Sequence, residues 1–272
     1  MKKKIALSVI LITLLTTTLA IIIVGCTNKK ITDNSSLIDQ YKEVGVRHNA
    51  ALDYVLQDLK CLQNENKVIN KEKLVDYCNG SINEYWERNI ENYNILTDNY
   101  DMNIKHLLKI LSHTTKNSYL DSIIANSGLS DKQEEYLYRI SDLVDIFTEL
   151  TQLQESLGLI DSEVIDDLDL TDDERGLILA ATSVAESSFE YWDENFYNWL
   201  SVSCDLLGVD IDTIEDPEGL SEEIWKTDLG GTIGGAAVFV WIPPVGWVLG
   251  GVAGGTAASL AEGIVQILNI LF

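Results

Sequence analysis

The feature that restricts the fold of this chain most is a run of 32 residues, 230–261, without a charged side chain. Its glycines recur at intervals of four, so one face of an α-helix would carry no side chains and a second backbone could approach closely. Since each interior helical glycine costs about 1 kcal/mol relative to alanine in water, this density favours a tight helix pair or a lipid environment. The glycines with this spacing are Gly230, Gly231, Gly234, Gly235, Gly246, Gly250, Gly251, Gly254 and Gly255.

Two consecutive prolines, Pro243 and Pro244, divide the C-terminal segment into two arms, because proline disrupts a helix interior. As a helix, the first arm (229–242) would be about 20 Å long, which is shorter than the ~30 Å core of a bilayer. The second arm (245–272) is long enough to cross. We predict a helical hairpin over residues 229–272, with two environments left open: contact with a membrane, or burial inside a soluble fold.

The rest of the sequence has the pattern of helices. Ser130 with Gln133, and Thr171 with Glu174, fit the capping box that begins many helices. Apolar residues recur with helical spacing over about 35 residues after Thr171. The same periodicity occupies residues 36–65, 70–112 and 131–157. Because no alternating β-branched run occurs between turns, we predict an all-α fold, a multi-helix bundle with the C-terminal glycine-rich hairpin.

The first 26 residues read as an export signal. Three lysines at positions 2–4 precede an uncharged stretch, 5–25, as in secretory leaders. The following residues, Ile23-Val24-Gly25-Cys26, resemble the lipobox of bacterial lipoproteins. That resemblance implies cleavage after Gly25 and a lipid on Cys26. An uncleaved anchor is the alternative, because the uncharged stretch is long enough to span a bilayer.

In both cases the lysines stay inside the cell and the rest of the chain is exported. The resulting organisation is a signal peptide (1–25), a lipidated cysteine with a polar tether (26–37), an acidic helical ectodomain (38–228) and the hydrophobic hairpin (229–272). The ectodomain would lie outside the cytoplasm, attached to the bacterial membrane through Cys26.

The charge balance excludes an ordinary nucleic-acid-binding protein. The chain has 43 acidic and 19 basic residues, whereas a protein that binds phosphates needs a basic face. Residues 161–228 hold 21 acids, and their only bases are Arg175 and Lys226. This segment is either a solvated surface that keeps the protein soluble or a site for a cation or a basic partner.

Part of this acidic segment has the spacing of a calcium-binding loop. Asp167, Asp169 and Thr171 have the spacing of the first three EF-hand ligands. Asp172 and Ile178 stand where that loop needs glycine and glutamate, so the sequence excludes an EF-hand. A calcium site of another type over residues 166–174 is left open, and we predict neither a resident metal nor a cofactor.

Catalytic motifs are scarce: the chain has no CxxC, GxSxG, P-loop or GxGxxG. One segment, from Gly45 through His48 and Asn49 to Leu52 and Asp53, resembles a G-x-x-H-N-x-x-L-D segment of exported, lipoprotein-type bacterial proteins, and no activity comes with that resemblance. We expect His48 and Asn49 to open a helix, with Asn49 as its cap. His48 would hydrogen-bond to a carboxylate such as Asp53, and a catalytic or metal-binding role is the alternative.

Three cysteines follow Cys26. Cys61 and Cys78 are 17 positions apart on segments that read as adjacent antiparallel helices. Export would permit a disulfide between them, and free thiols are the alternative. Cys204 lies near the end of a long helical run and is expected to be buried.

The sequence therefore predicts a cell-envelope lipoprotein that acts as a non-enzymatic interaction or assembly module. Its partners would be the membrane, an envelope protein or a second copy of the chain. A membrane-active effector is the first alternative, because residues 230–272 are similar in style to glycine-zipper peptides of the bacteriocin and pore-forming type. An enzyme that depends on His48 is the second.

Overall fold

The computed structural model describes residues 34–89, 129–146, 149–214 and 246–271. Within these ranges every regular element is helical, which confirms the predicted all-α class. A single 3-10 turn, Ile211–Thr213, follows the longest helix. The α-helices are α1 (Asn34–Asn64), α2 (Lys71–Asn89), α3 (Asp131–Ile146), α4 (Leu150–Asp166), α5 (Asp172–Leu207) and α6 (Gly246–Leu271).

The predicted runs at 36–65 and after Thr171 match observed helices. The run at 70–112 is helical over Lys71–Asn89, and residues 90–112 lie outside the described residues. Helix α1 covers the run at 36–65 and begins at Asn34, inside the range predicted as a tether. The run predicted at 131–157 is wrong as one helix, because Glu149 has an extended backbone (φ −114°, ψ 125°) and separates α3 from α4. This break lets the apolar sides of both helices, with Leu137 on α3 and Leu157 on α4, be buried.

Helix α5 is the long axis of the bundle. Its 36 residues extend about 54 Å. It begins with the predicted capping box, in which the Thr171 N–H donates to Glu174 Oε2 at 2.7 Å and the Glu174 N–H donates to Thr171 Oγ1 at 3.3 Å. Ten consecutive residues, 176–185, are buried, so this part of α5 is enclosed on every face.

Helix α6 packs against α5 and α2, and its middle part is enclosed. Residues 255–264 are all buried. The indole N–H of Trp192 on α5 donates to Ser259 Oγ at 2.8 Å. A Cβ added at Gly263 would lie 2.6 Å from the same indole. Gly263 thus makes room for Trp192, although it was not among the nine glycines with the predicted spacing.

Part of the predicted C-terminal hairpin lies among the described residues, as α6. In the described part of the chain, no helix is both long and apolar enough to cross a membrane. Gly246, Gly250, Gly251, Gly254 and Gly255 lie in α6, and Gly255 is buried. The leader with Cys26, the proline pair, and Gly230, Gly231, Gly234 and Gly235 lie outside the described residues.

Helices α1 and α2 form an antiparallel pair, as predicted. Ser81 Oγ donates to Asp58 Oδ2 at 2.6 Å, and the rings of Tyr54 and Tyr85 are 5.4 Å apart. The proposed disulfide between Cys61 and Cys78 is not formed: both are free thiols. Cys61 is exposed whereas Cys78 is fully buried, so the two side chains occupy different environments. Cys204 is buried, as expected.

Candidate functional site

The residues of the G-x-x-H-N segment lie in the middle of α1, where this helix meets α5. Gly45 bonds to Ser183 and Asn49 bonds to Ser187, and both pairs are separated by the same 138 positions. The two helices therefore run parallel at this contact. Because residues four apart lie on one helix face, these pairs form a continuous line, here called the α1–α5 seam.

Gly45 allows the closest approach in the seam. Its N–H donates to Ser183 Oγ at 3.1 Å, and that hydroxyl donates to the carbonyl oxygen of Lys42 at 3.2 Å. A Cβ added at Gly45 would lie only 2.5 Å from the Ser183 carbonyl oxygen and would also collide with Ser187 Oγ. Only glycine fits here unless the helices separate.

Asn49 connects the two helices one turn further along. Its Nδ2 donates to the Ser187 carbonyl oxygen at 2.8 Å, and its Oδ1 lies 2.9 Å from Nδ1 of His48. Since a carbonyl oxygen only accepts, the amide is oriented with Oδ1 towards His48, and Nδ1 of His48 is the nitrogen that carries the proton. The predicted cap is wrong, because α1 begins 15 residues earlier at Asn34.

His48 is enclosed in the bundle, with 0% of its surface exposed. The expected bond between His48 and Asp53 is not consistent with the helix, because residues five apart point in directions about 140° apart. Asp53 is exposed and lies near Tyr191 on α5, where its charge helps to raise the pKa of the tyrosine hydroxyl. These two residues are also 138 positions apart, one turn further along the α1–α5 seam.

Tyr191 links the seam to the aromatic core. Its hydroxyl accepts a hydrogen bond from the indole N–H of Trp199 at 3.0 Å. Burial raises the pKa of Tyr191, and the charge of Asp53 raises it further. The ring of Trp192 lies 5.5 Å from that of Tyr191, edge to face, and 5.6 Å from that of Trp199. These aromatic residues are helix packing, while Tyr197 on the same helix is 51% exposed.

Acidic side chains of the loop before α5 form hydrogen bonds and ion pairs with other residues of the protein. Asp167 Oδ2 accepts from the Tyr136 hydroxyl at 3.1 Å and pairs with Lys132 Nζ at 3.2 Å. Bonding from the Asp169 N–H is the main reason that the pKa of Asp167 is lowered. Hydrogen bonds from Ser130 and Thr171 lower the pKa of Glu174. In the described part of the chain, no group of three or more histidine, cysteine or acidic side chains is placed to hold a metal ion.

Arg175 fastens the same loop. Its guanidinium donates to the carbonyl oxygens of Val164 at 3.2 Å and Asp167 at 2.6 Å, at the end of α4, and pairs with Asp172 at 2.9 Å. A cation near a helix C-terminus also interacts favourably with the helix dipole. The loop is therefore a corner that joins α3, α4 and α5.

Sequence reasoning missed the α5 side of the seam. Ser183 and Ser187 have the four-residue spacing of a close helix contact, but this signal is weak among many serines and identifies no partner. The seam holds α1 and α5 together through hydrogen bonds between polar atoms of the two helices. No protein-family model, curated protein or solved structure matches this chain.

Proposed function

We propose that this chain is an exported bacterial lipoprotein, held at the membrane by a lipid on Cys26, whose helical ectodomain is a non-enzymatic interaction module. The proposal that the module is not an enzyme depends on one observation: the G-x-x-H-N segment packs α1 against α5. Gly45, His48 and Asn49 carry the resemblance to exported bacterial proteins, and they serve the packing of α1 on α5.

A catalytic histidine must come within hydrogen-bonding distance of its substrate. His48 has no exposed surface, and its Nδ1 proton is directed at Asn49. A substrate would reach the imidazole only if α1 and α5 separated, which would break the bonds of Gly45 and Asn49. The geometry therefore favours a structural role for His48, which leaves the outer surface of the bundle to carry the function.

The outward face of α5 is the surface that we propose for binding. It has exposed acidic residues at helical spacing, with the half-exposed ring of Tyr197 among them. Such a face favours a partner with basic side chains, because complementary charge speeds association and selects the partner. The exposed acids along this face are Glu190, Asp193, Glu194 and Asp205.

Lipid attachment is tested by replacing Cys26 with serine in the full chain and labelling producing cells with radioactive palmitate. We expect the wild-type protein to be labelled and to sediment with membranes, and Cys26→Ser to lose the label. A wild-type protein without label, or a labelled Cys26→Ser variant, would contradict the proposed anchor.

The binding surface is tested by chemical cross-linking in intact cells. Reversing charge in the double variant Asp193→Lys, Glu194→Lys should abolish a cross-linked partner. Glu155→Lys, on the exposed face of α4, is the matched control and should retain it. Equal cross-linking in both variants would exclude the α5 face.

The enzyme alternative is tested with His48→Ala. Loss of a buried hydrogen-bonding side chain should lower stability by about 1–3 kcal/mol. A variant that keeps wild-type stability but loses the biological activity of the protein would favour a chemical role for His48.

A further inference from the structure

Two acidic side chains lie one turn apart along the contact between α4 and α5, on the side that faces α1. Asp161 on α4 accepts a hydrogen bond from Thr182 Oγ1 on α5, at 2.6 Å from its Oδ1. One turn further along α5, Glu186 accepts from Gln154 Nε2 of α4 at 2.9 Å. On the third side, the charge of Lys42 on α1 also reaches Asp161. Neither carboxylate was singled out by the sequence.

Both carboxylates have neutral hydrogen-bond donors. Among the described residues, the ion pairs within 4.0 Å all involve other acids. Lys42 is exposed to water, so its attraction for Asp161 is weakened by solvent. Two like charges thus share a partly buried junction, a situation that favours protonation of one of them.

The hydrogen bonds are compatible with a protonated Asp161. Thr182 is buried, and its hydroxyl also lies 2.9 Å from the carbonyl oxygen of Leu179, which is a second acceptor. If Asp161 carried a proton, it would donate to Thr182 Oγ1, and the threonine hydroxyl would donate to Leu179. Each hydroxyl group in this series of hydrogen bonds would then have an acceptor.

We propose that the Asp161–Glu186 pair is a proton-binding site that tightens the junction of α1, α4 and α5 when the medium becomes mildly acidic. Binding of one proton removes the repulsion between the two carboxylates and the cost of keeping a charge in a partly buried place. The interactions that hold α4 against α5 are then no longer opposed by charge.

The pH range over which the junction gains stability depends on the direction in which the pKa of Asp161 is changed. Burial, and to a smaller extent Glu186, raise the pKa of Asp161 from 3.8 to about 6, while Thr182 and Lys42 act in the opposite direction. When the pKa of an acid is higher in the folded than in the unfolded protein, its charge destabilises the fold. The destabilisation is complete at a pH above the folded-state pKa and absent at a pH below the unfolded-state pKa. The junction therefore gains stability as the pH falls from about 6 to about 4.

The test compares urea unfolding of the full-length protein in mild detergent at pH 7.5 and pH 4, with tryptophan fluorescence as the signal. Asp161→Asn, which imitates the neutral acid, should raise the folded-to-unfolded ratio at pH 7.5 by up to about a hundredfold. That advantage should disappear at pH 4. Asp166→Asn, at an exposed position of the same helix, is the control and should show no such change with pH. An Asp161→Asn variant that is no more stable than wild type at pH 7.5, or equally favoured at both pH values, would overturn the proposal.

A second variant tests the pair rather than Asp161 alone. Glu186→Gln removes the neighbouring charge and should move the titration midpoint of Asp161 to lower pH. The midpoint can be read from the carboxyl carbon signal of Asp161 by NMR in the folded protein. A midpoint that stays near pH 4 in the wild-type protein, or is unaffected by Glu186→Gln, would refute the proton site.

Discussion

Replacing Gly45 with alanine is the sharpest test of the α1–α5 seam. The new Cβ would lie 2.5 Å from the Ser183 carbonyl oxygen, whereas ordinary contacts begin at 3.4 Å. The helices must therefore move apart by about 1 Å, and such overpacking costs about 1–3 kcal/mol. Loss of the 3.1 Å bond from the Gly45 N–H to Ser183 Oγ adds about 1 kcal/mol. Alanine's better helix propensity returns about 1 kcal/mol, so the net destabilisation is about 1–3 kcal/mol.

The chain supplies two matched controls for this substitution. Gly80 in α2 and Gly158 in α4 have no atom within 4 Å of an added Cβ. Replacing either with alanine should stabilise the protein by up to about 1 kcal/mol. The measurement is urea unfolding followed by circular dichroism at 222 nm, under identical conditions for all variants. If Gly45→Ala is as stable as the wild type, the close contact inferred for the seam is wrong; if the controls also destabilise, the seam does not explain the loss at Gly45.

Three further predictions concern other parts of the bundle. In native protein at pH 8, a thiol reagent should label Cys61 rapidly and Cys78 only after unfolding, because burial raises the pKa of the Cys78 thiol to about 12; rapid labelling of both would contradict the burial. Trp192→Phe removes the bond to Ser259 and should cost about 1–3 kcal/mol in thermal unfolding, and an unchanged melting temperature would mean that the bond contributes nothing. Thr171→Ala should cost about 1 kcal/mol through loss of the α5 cap, while Thr171→Ser should retain most of the stability, and equal losses in both would exclude capping as the reason.

The features that the sequence predicts well are local. A capping box needs only residues three positions apart, and both predicted boxes form, including the pair Ser130 and Gln133. Helical periodicity likewise depends on neighbours within one or two turns. The all-α class follows from these short-range patterns.

The candidate site could not be predicted in the same way, because its partners lie 138 positions apart. Periodicity indicates that a face is buried but does not identify the facing helix. Asn49 resembles a cap in isolation, yet it bridges two helices. The four-residue spacing of glycines likewise does not identify which glycine is contacted. Gly263, which is outside the predicted set, makes the contact with Trp192, because one large side chain needs only one position without a Cβ.

The enclosed position of α6 has a consequence for the order in which the bundle can form. Synthesis delivers α1 to α5 before α6, and until α6 arrives the apolar surfaces of α2 and α5 that pack against it remain uncovered. Contacts between distant parts of a chain form slowly, and partly formed bundles with exposed apolar surface tend to aggregate. The contacts that α6 makes with α2 and α5 therefore form only after residues 246–271 have been synthesised.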